Sequence, residues 1–143
     1  MATFLNNKVG FKVATVDLSS YVQSFVLQRV LDSIEISAMG DTSHKYVTGL
    51  AADQVTVTFL NNDIASGAGS VRATLQAAFG TTVAFTACQD TSAAISTTNP
   101  LYTGTILVND LTDINAPSPA DIATMDITFT CNSKTAVATT GTW

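Results

Sequence analysis

Charged side chains are scarce in this chain of 143 residues. Asp, Glu, Lys and Arg make up only 12% of it, about half the share usual in a soluble domain. Basic residues are the scarcest: Lys8, Lys12, Lys45, Lys134, Arg29 and Arg72 face 11 acidic ones, for a net charge of −5. No basic patch is there to hold a phosphate backbone, which argues against a protein that grips nucleic acid. Histidine is reduced to His44 and glutamate to Glu35. There are 2 cysteines, Cys88 and Cys131, both in strand-like apolar patterns. They read as buried free thiols of a reducing compartment, with a disulfide between them as the alternative. No apolar run approaches ~18 residues, so no membrane-crossing helix is expected. Met1 to Lys8 has no apolar signal core, because Asn6-Asn7-Lys8 interrupts it.

Apolar side chains, in contrast, reach 46%. That is enough for a sizeable core, and the length suits a single domain spanning 1–143. With so little charge, the surface is largely Thr, Ser, Asn and Ala, and such a surface favours association. The acids are almost all Asp, which prefers turns and strand ends, while Glu and Lys prefer helix surfaces. Together with abundant Thr and Val, this bias predicts a β-rich protein.

Periodicity locates the elements. Lys8 to Val16 alternates and predicts one strand, followed by a turn at Asp17–Tyr21 with Asp17 as cap. Val22 to Ile36 predicts one long strand with a bulge near Asp32. Residues 37–52 read as an extended loop or arm, a length that is usually functional. Val55, Val57 and Phe59 alternate with Gln54, Thr56 and Thr58, the most secure strand of the chain. Ser70 to Phe79 predicts the one helix, with Val71, Leu75, Ala78 and Phe79 as its apolar stripe, Ser70 as cap and Gly80 as its left-handed stop. Strands are expected at Thr81–Ala87, Leu101–Asp110 and Ile122–Cys131. Residues 132–143 read as a weakly patterned C-terminal tail. The sum is a mainly β fold, a two-sheet β-sandwich or barrel with one flanking α-helix.

Few residues suggest chemistry. Asp41, Ser43 and His44 are neighbours in one loop, and adjacent residues seldom meet triad geometry, so no catalytic residue is assigned. One His and two separated Cys do not make a metal site, and no cofactor is expected. Asp110 to Asn115 lacks the alternating ligands and central Gly of a calcium loop. Gly67-Ala68-Gly69 has no following Lys and reads as a flexible loop. Arg29, inside an apolar strand, pairs with an acid across a subunit boundary or locally with Asp32 or Glu35. Trp143 either folds back on its own domain or anchors in a neighbour.

The order of these pieces resembles the tail tube (major tail) proteins of long-tailed bacteriophages. The likeness runs from Tyr21-Val22-Gln23-Ser24 through Leu27-Gln28-Arg29 to Asp32–Thr42, where the family often has an aromatic–Gly–Asp step and this chain has Met39-Gly40-Asp41. It continues through Tyr46-Val47-Thr48-Gly49-Leu50, the Val55–Phe59 strand, the Ser70–Phe79 helix and Asn99–Gly104. The resemblance implies a non-enzymatic virion protein. Its inner sheets would join into the barrel of a hexameric ring, and the rings would stack into a tube that conducts the genome. Self-association is the main partnership implied. Tail tip or initiator, tape-measure and tail terminator proteins are the others, with double-stranded DNA passing transiently and no membrane. Assembly is expected in the host cytoplasm. Contractile-tail and type VI secretion tubes are similar in fold, and a β-sandwich decoration or adhesion module is the alternative.

Geometry is compatible with that machine. Four strands from each of six subunits, at ~4.8 Å spacing and ~40° tilt, give a barrel about 48 Å across, or roughly 38 Å inside the side chains. An acidic, Lys-poor lumen would not hold DNA. Thr56, Thr58, Thr124, Asp126 and Thr128 are the candidate lumen-facing residues. Arg29, Met39, Gly40, Asp41, His44, Tyr46 and Trp143 are the candidate contacts between subunits and rings.

Overall fold

The computed structural model of the chain describes residues 3–4 and 6–143. Two strands open the fold, β1 (Gly10–Val13) and β2 (Val16–Asp17), paired antiparallel. The alternation predicts one strand here. Instead the chain reverses at Ala14 and Thr15, whose φ values of 50° and 71° make the left-handed turn that suits a tight hairpin. Asp17 then accepts the Ser19 N–H at 3.0 Å and the Ser19 hydroxyl at 2.5 Å, holding the expected turn at Ser19–Tyr21.

Next come β3 (Val22–Gln28), β4 (Leu31–Glu35), β5 (Tyr46–Ala51) and β6 (Gln54–Leu60). After the helix α1 (Val71–Ala78) follow β7 (Thr82–Cys88), β8 (Leu101–Leu107), β9 (Thr124–Cys131) and β10 (Ala136–Ala138). The main sheet runs β2-β1-β7-β8-β9-β6-β3, with β10 alongside the start of β8; β4 and β5 form a separate two-stranded sheet.

The main sheet folds over on itself. β8 and β9 pair only at Ile106↔Cys131 and Leu107↔Thr130. Beyond that corner the layers β2-β1-β7-β8 and β9-β6-β3 face each other. Phe11 of β1 lies 5.0 Å from Phe25 of β3 and 6.1 Å from Phe59 of β6, ring centre to ring centre. Phe85 and Phe129 complete an aromatic core that Val55, Val57, Ile106, Met125 and Ile127 fill. Full burial of side chains this size contributes about 1.5–3 kcal/mol each. The expected sandwich with one flanking helix is the fold found.

The helix closes the core with Val71, Leu75 and Ala78, as its spacing predicts. Two details differ. Phe79 leaves the stripe and is exposed, because the helix has already ended there and Gly80 turns left-handed at φ 81°. Ser70 does not cap a helical amide: its hydroxyl donates to the Gly67 carbonyl at 2.6 Å.

Three further expectations change. Val22–Ile36 is not one strand, since the chain bends at Arg29 and Val30 and passes from one sheet to another. Residues 37–52 are not all loop, because Tyr46–Ala51 pairs with Leu31–Glu35. The C-terminal tail contains β10, held on β8 by backbone pairing. The bulge near Asp32 is present, as the β4–β5 register slips between Leu31 and Ser33.

Candidate assembly surfaces

β3–β4 and β5–β6 are the two limbs of one long bent hairpin. Its base is woven into the main sheet, and its outer half, β4–β5, stands away as an arm. Every residue of β4 is exposed, and among the described residues no other element packs extensively on β4 or β5. The arm is nonetheless apolar. Val30, Leu31, Ile34, Ile36, Met39, Tyr46, Val47 and Leu50 are all exposed. Soluble monomers rarely leave apolar side chains gathered this way, and such patches mark contact surfaces.

The arm's tip is ordered by polar bonds. Gly40 takes φ 93°, and Asp41 closes the turn by donating its N–H to the Ala38 carbonyl at 3.1 Å. The Asp41 carboxylate accepts the Ala38 N–H at 2.7 Å and pairs with Lys45 at 2.9 Å. That amide first, and Lys45 second, hold the carboxyl below the usual range. His44 Nδ1 meets Glu35 Oε1 at 2.7 Å, and its ring lies 6.4 Å from Tyr46. His44 is thus engaged by Glu35 and Asp41 by Lys45, so the neighbours Asp41, Ser43 and His44 do not converge. Met39, Gly40, Asp41, His44 and Tyr46 therefore share the tip, as their positions in the sequence suggest.

Arg29 and Trp143 lie elsewhere. Arg29 sits at the bend, its guanidinium 5.7 Å from the Tyr102 ring centre. Neither Asp32 nor Glu35 is its partner in an ion pair; its charge acts on Asp53. Trp143 lies against its own domain. The Lys12 ammonium is 4.3 Å from its ring centre, and the ring rests over Gly10, where a Cβ would come within 2.6 Å of Trp143 Cζ2. Of its two alternatives the structure shows folding back.

A second surface is the outer face of β3, β6 and β9. Register places Thr56 between Val26 and Thr128, and Thr58 between Ser24 and Asp126. Thr124 follows opposite Leu60. The Thr58 hydroxyl donates to Asp126 Oδ1 at 2.7 Å. Thr56, Thr58, Thr124, Asp126 and Thr128 thus lie together on one face, while Val55, Val57, Phe59, Met125, Ile127 and Phe129 point the other way into the core. The strands of this face carry one ionisable side chain on it, Asp126.

A third surface is an open edge. β3 ends the main sheet and has a strand on one side only. A groove of about 990 Å³ runs along it, lined by Val22 to Arg29 and, across the gap, by Phe4, Val9, Ala87, Cys88, Pro100 and Tyr102. Unpaired edges of this kind are templates for another strand.

Sequence reasoning missed Asp53. It is a carboxylate buried to 3% exposure, at the bend of the hairpin. Its Oδ1 accepts the Val30 N–H at 3.0 Å and its Oδ2 the Thr135 N–H at 2.9 Å. Burial pushes its carboxyl up, but the amides of Thr135 and Val30 and the Arg29 charge together bring it below the ordinary range. A lone Asp before a strong strand was the only signal. Both cysteines are free, Cys88 buried and Cys131 half-buried; burial raises both thiols. Among the described residues no group of three or more His, Cys, Asp or Glu gathers to hold a metal, and no helix is long and apolar enough to cross a membrane.

No protein-family model and no curated protein matches the sequence. Solved structures do match the fold. One chain belongs to the virion of a native gene transfer agent particle: TM-score 0.72, 9% identity, with 95% of this chain and 99% of that one covered. Another belongs to the tail of an empty gene transfer agent particle, solved with C6 symmetry: TM-score 0.64, 11% identity, with 94% and 98% covered. At such identities the likeness is one of fold, and across nearly its whole length this chain has the fold of a chain from a particle tail.

Proposed function

We propose that the chain is a structural, non-enzymatic subunit of a phage-like tail tube. Copies close into hexameric rings, and the rings stack into a hollow tube that conducts a genome into the host cell. The observation that carries this reading is the arm: an ordered, apolar hairpin that contacts little of its own body and needs a neighbour to cover it. The likeness in fold to a chain of a C6-symmetric tail supports six-fold closure.

On this reading, the open edge of β3 receives a strand from the next subunit. The layer β9-β6-β3 forms the wall, and the neighbour's arm supplies the fourth strand. The polar face bearing Thr56, Thr58, Thr124, Asp126 and Thr128 lines the lumen. Hydroxyls keep a water layer there, and the absence of Lys or Arg on that face avoids the counterion release that would hold DNA. The arm's tip, with Met39, Gly40, Asp41, His44 and Tyr46, reaches the adjacent subunit and ring, and Arg29 lies at that boundary. Trp143, engaged with Gly10 and Lys12, serves the body more than the boundary. The further partners are a tail-tip initiator, a tape-measure protein and a terminator. The protein is then made in the host cytoplasm and ends in the virion tail.

Negative-stain electron microscopy, with light scattering over a concentration series, tests the proposal. Hollow rings or tubes with a bore of roughly 38 Å are expected. A monodisperse monomer or trimer at high concentration, unchanged when seeded with tail-tip complexes, overturns it in favour of a decoration or adhesion module.

A further inference from the structure

The arm raises a mechanical question. Two limbs cross from the main sheet into the arm, and at that crossing both ladders are interrupted. Between β3 and β4 stand Arg29 and Val30, and between β5 and β6 stand Ala52 and Asp53. An arm with so few contacts to its body would swing about this bend unless something fixed it.

What spans the gap is short. The Ala52 N–H donates to the Val30 carbonyl at 2.7 Å. Asp53 supplies the rest. Its side chain accepts Val30 N–H on the outgoing limb and Thr135 N–H on the C-terminal segment, while its carbonyl accepts the Cys131 N–H at 3.1 Å. One residue thus joins the outgoing limb, the returning limb, the end of β9 and the approach to β10. Asp53 is also the only carboxylate that the structure buries among the described residues. Burying a charge is costly unless hydrogen bonds compensate, so a buffer-facing residue would be the cheaper choice for a plain turn.

We propose that Asp53 is a positioning residue: a clasp that fixes the direction of the β4–β5 arm by holding the Val30 and Thr135 amides at once. The clasp sets where the arm's apolar side chains arrive, and with it which neighbouring surface they meet. This role in assembly rests on the tube reading, whereas the fixing of the arm does not.

The substitution Asp53→Asn separates the two. Asn keeps the size of the side chain but turns one acceptor into a donor that opposes an N–H. The readout is single-molecule energy transfer between fluorophores placed by unnatural amino acids at Met39 on the tip and Gln76 on the outer side of α1. Both native thiols stay in place, and picomolar dilution keeps the protein monomeric. Losing one charge-assisted bond and opposing another donor shifts the arm equilibrium by about tenfold or more. The expected result is a broadened tip-to-body distance with the near-ultraviolet signature of the core retained. Tube yield at matched concentration should fall by a similar factor. Asp63→Asn, in an exposed loop, is the control and leaves both unchanged.

If Asp53→Asn fails to fold, the wild-type chain answers the question by acidification. Arg29 on the bend, Cys131 at the end of β9 and Lys134 next to Thr135 in the chain are the other ionisable groups around the clasp. Broadening that appears reversibly on acidification from about pH 6, before the core melts, and together with lost hydrogen-exchange protection at the Val30 and Thr135 amides, supports the clasp; broadening with both amides still protected comes from the Asp41 turn at the tip and overturns it. An unchanged, narrow distance in a folded Asp53→Asn chain, or in acidified wild type until global unfolding, overturns it. Broadening with wild-type tube yield overturns the role in assembly. If wild type itself forms no tubes even when seeded with tail-tip complexes, the tube reading fails, and the distance measurement still decides whether Asp53 fixes the arm.

Discussion

β6 and the β4–β5 arm are built from the same kinds of residue and meet opposite fates. In β6, Val55, Val57 and Phe59 are completely buried. In the arm, Ile34 is 53% exposed, Leu50 81% and Met39 fully so. Both segments are paired, antiparallel and rich in strand formers. The difference is the opposite layer. β6 has β1 and the Phe11 ring across the core from it, whereas among the described residues no element packs extensively across from the arm. A strand's sequence therefore sets its pairing, but burial needs a second surface, which on the proposed reading another molecule supplies to the arm.

The strongest way to break this comparison is to truncate one residue on each side. Phe59→Ala opens a cavity in the aromatic core, at a cost of about 3–5 kcal/mol. That is a large part of the ~5–15 kcal/mol that holds a domain folded, so a sharp loss of thermal stability is expected in calorimetry. Ile34→Asp, on the arm, should move monomer stability by no more than about 0.5 kcal/mol. It should nevertheless prevent tube formation in electron micrographs, because a charge would be buried at the contact. If Ile34→Asp melts the monomer as Phe59→Ala does, the arm belongs to the body's core and the contrast is wrong.

Asp53 stands at the border of the two regions and sharpens the comparison through pH. Its carboxyl lies below the ordinary range when folded. A depressed acid contributes stability that is fully present above its unfolded pKa, about 3.9, and that is lost as pH falls through the folded value. Acidification below about pH 4 should therefore loosen the bend. Asp41 and Asp90 are also held low, by the Ala38 amide and the Ser92 hydroxyl first respectively, so wild type has several acid-sensitive places. Hydrogen exchange resolves them. The Val30 and Thr135 amides should lose protection early in wild type, and in Asp53→Asn the one left facing the side-chain NH2 should be unprotected at every pH. Unchanged protection at both amides would remove Asp53 from the border.

How much of this was legible follows from distance along the chain. The alternation of β6 and β9 reveals both faces, since a period of two assigns each side chain to one side or the other. For that reason Thr56, Thr58, Thr124, Asp126 and Thr128 could be grouped before any pairing was known. The stripe Val71, Leu75 and Ala78 was equally local. The break at Arg29–Val30 was not, because the β-branched composition runs on without a Gly or Pro. It is set by a carboxylate 23 residues away, which a backbone amide 82 residues further on completes. β10 escaped for a similar reason. Ala136-Val137-Ala138 has no pattern of its own and becomes a strand through the backbone of β8. The arm's outline was readable from its length and composition, its second strand only from pairing with β4.

The smallest effect belongs to the body's outer surface, which the chain covers for itself where the arm is left bare. Trp143 lies over Gly10, with Lys12 above its ring. Glycine is required at that spot by space, since its backbone is ordinary strand. A Cβ would overlap the Thr91 methyl and come within 2.8 Å of two carbons of the Trp143 ring. Gly10→Ala should therefore lift the indole off β1 at a cost of about 1–3 kcal/mol of overpacking, and shift the fluorescence of the single tryptophan toward the red as water reaches it. Tube assembly should survive, because this contact lies within one chain and away from the arm. Lost assembly with the indole displaced would mean that the covered face of β1 is itself part of the boundary between copies, and the division between a self-covered body and a partner-covered arm would have to be drawn elsewhere.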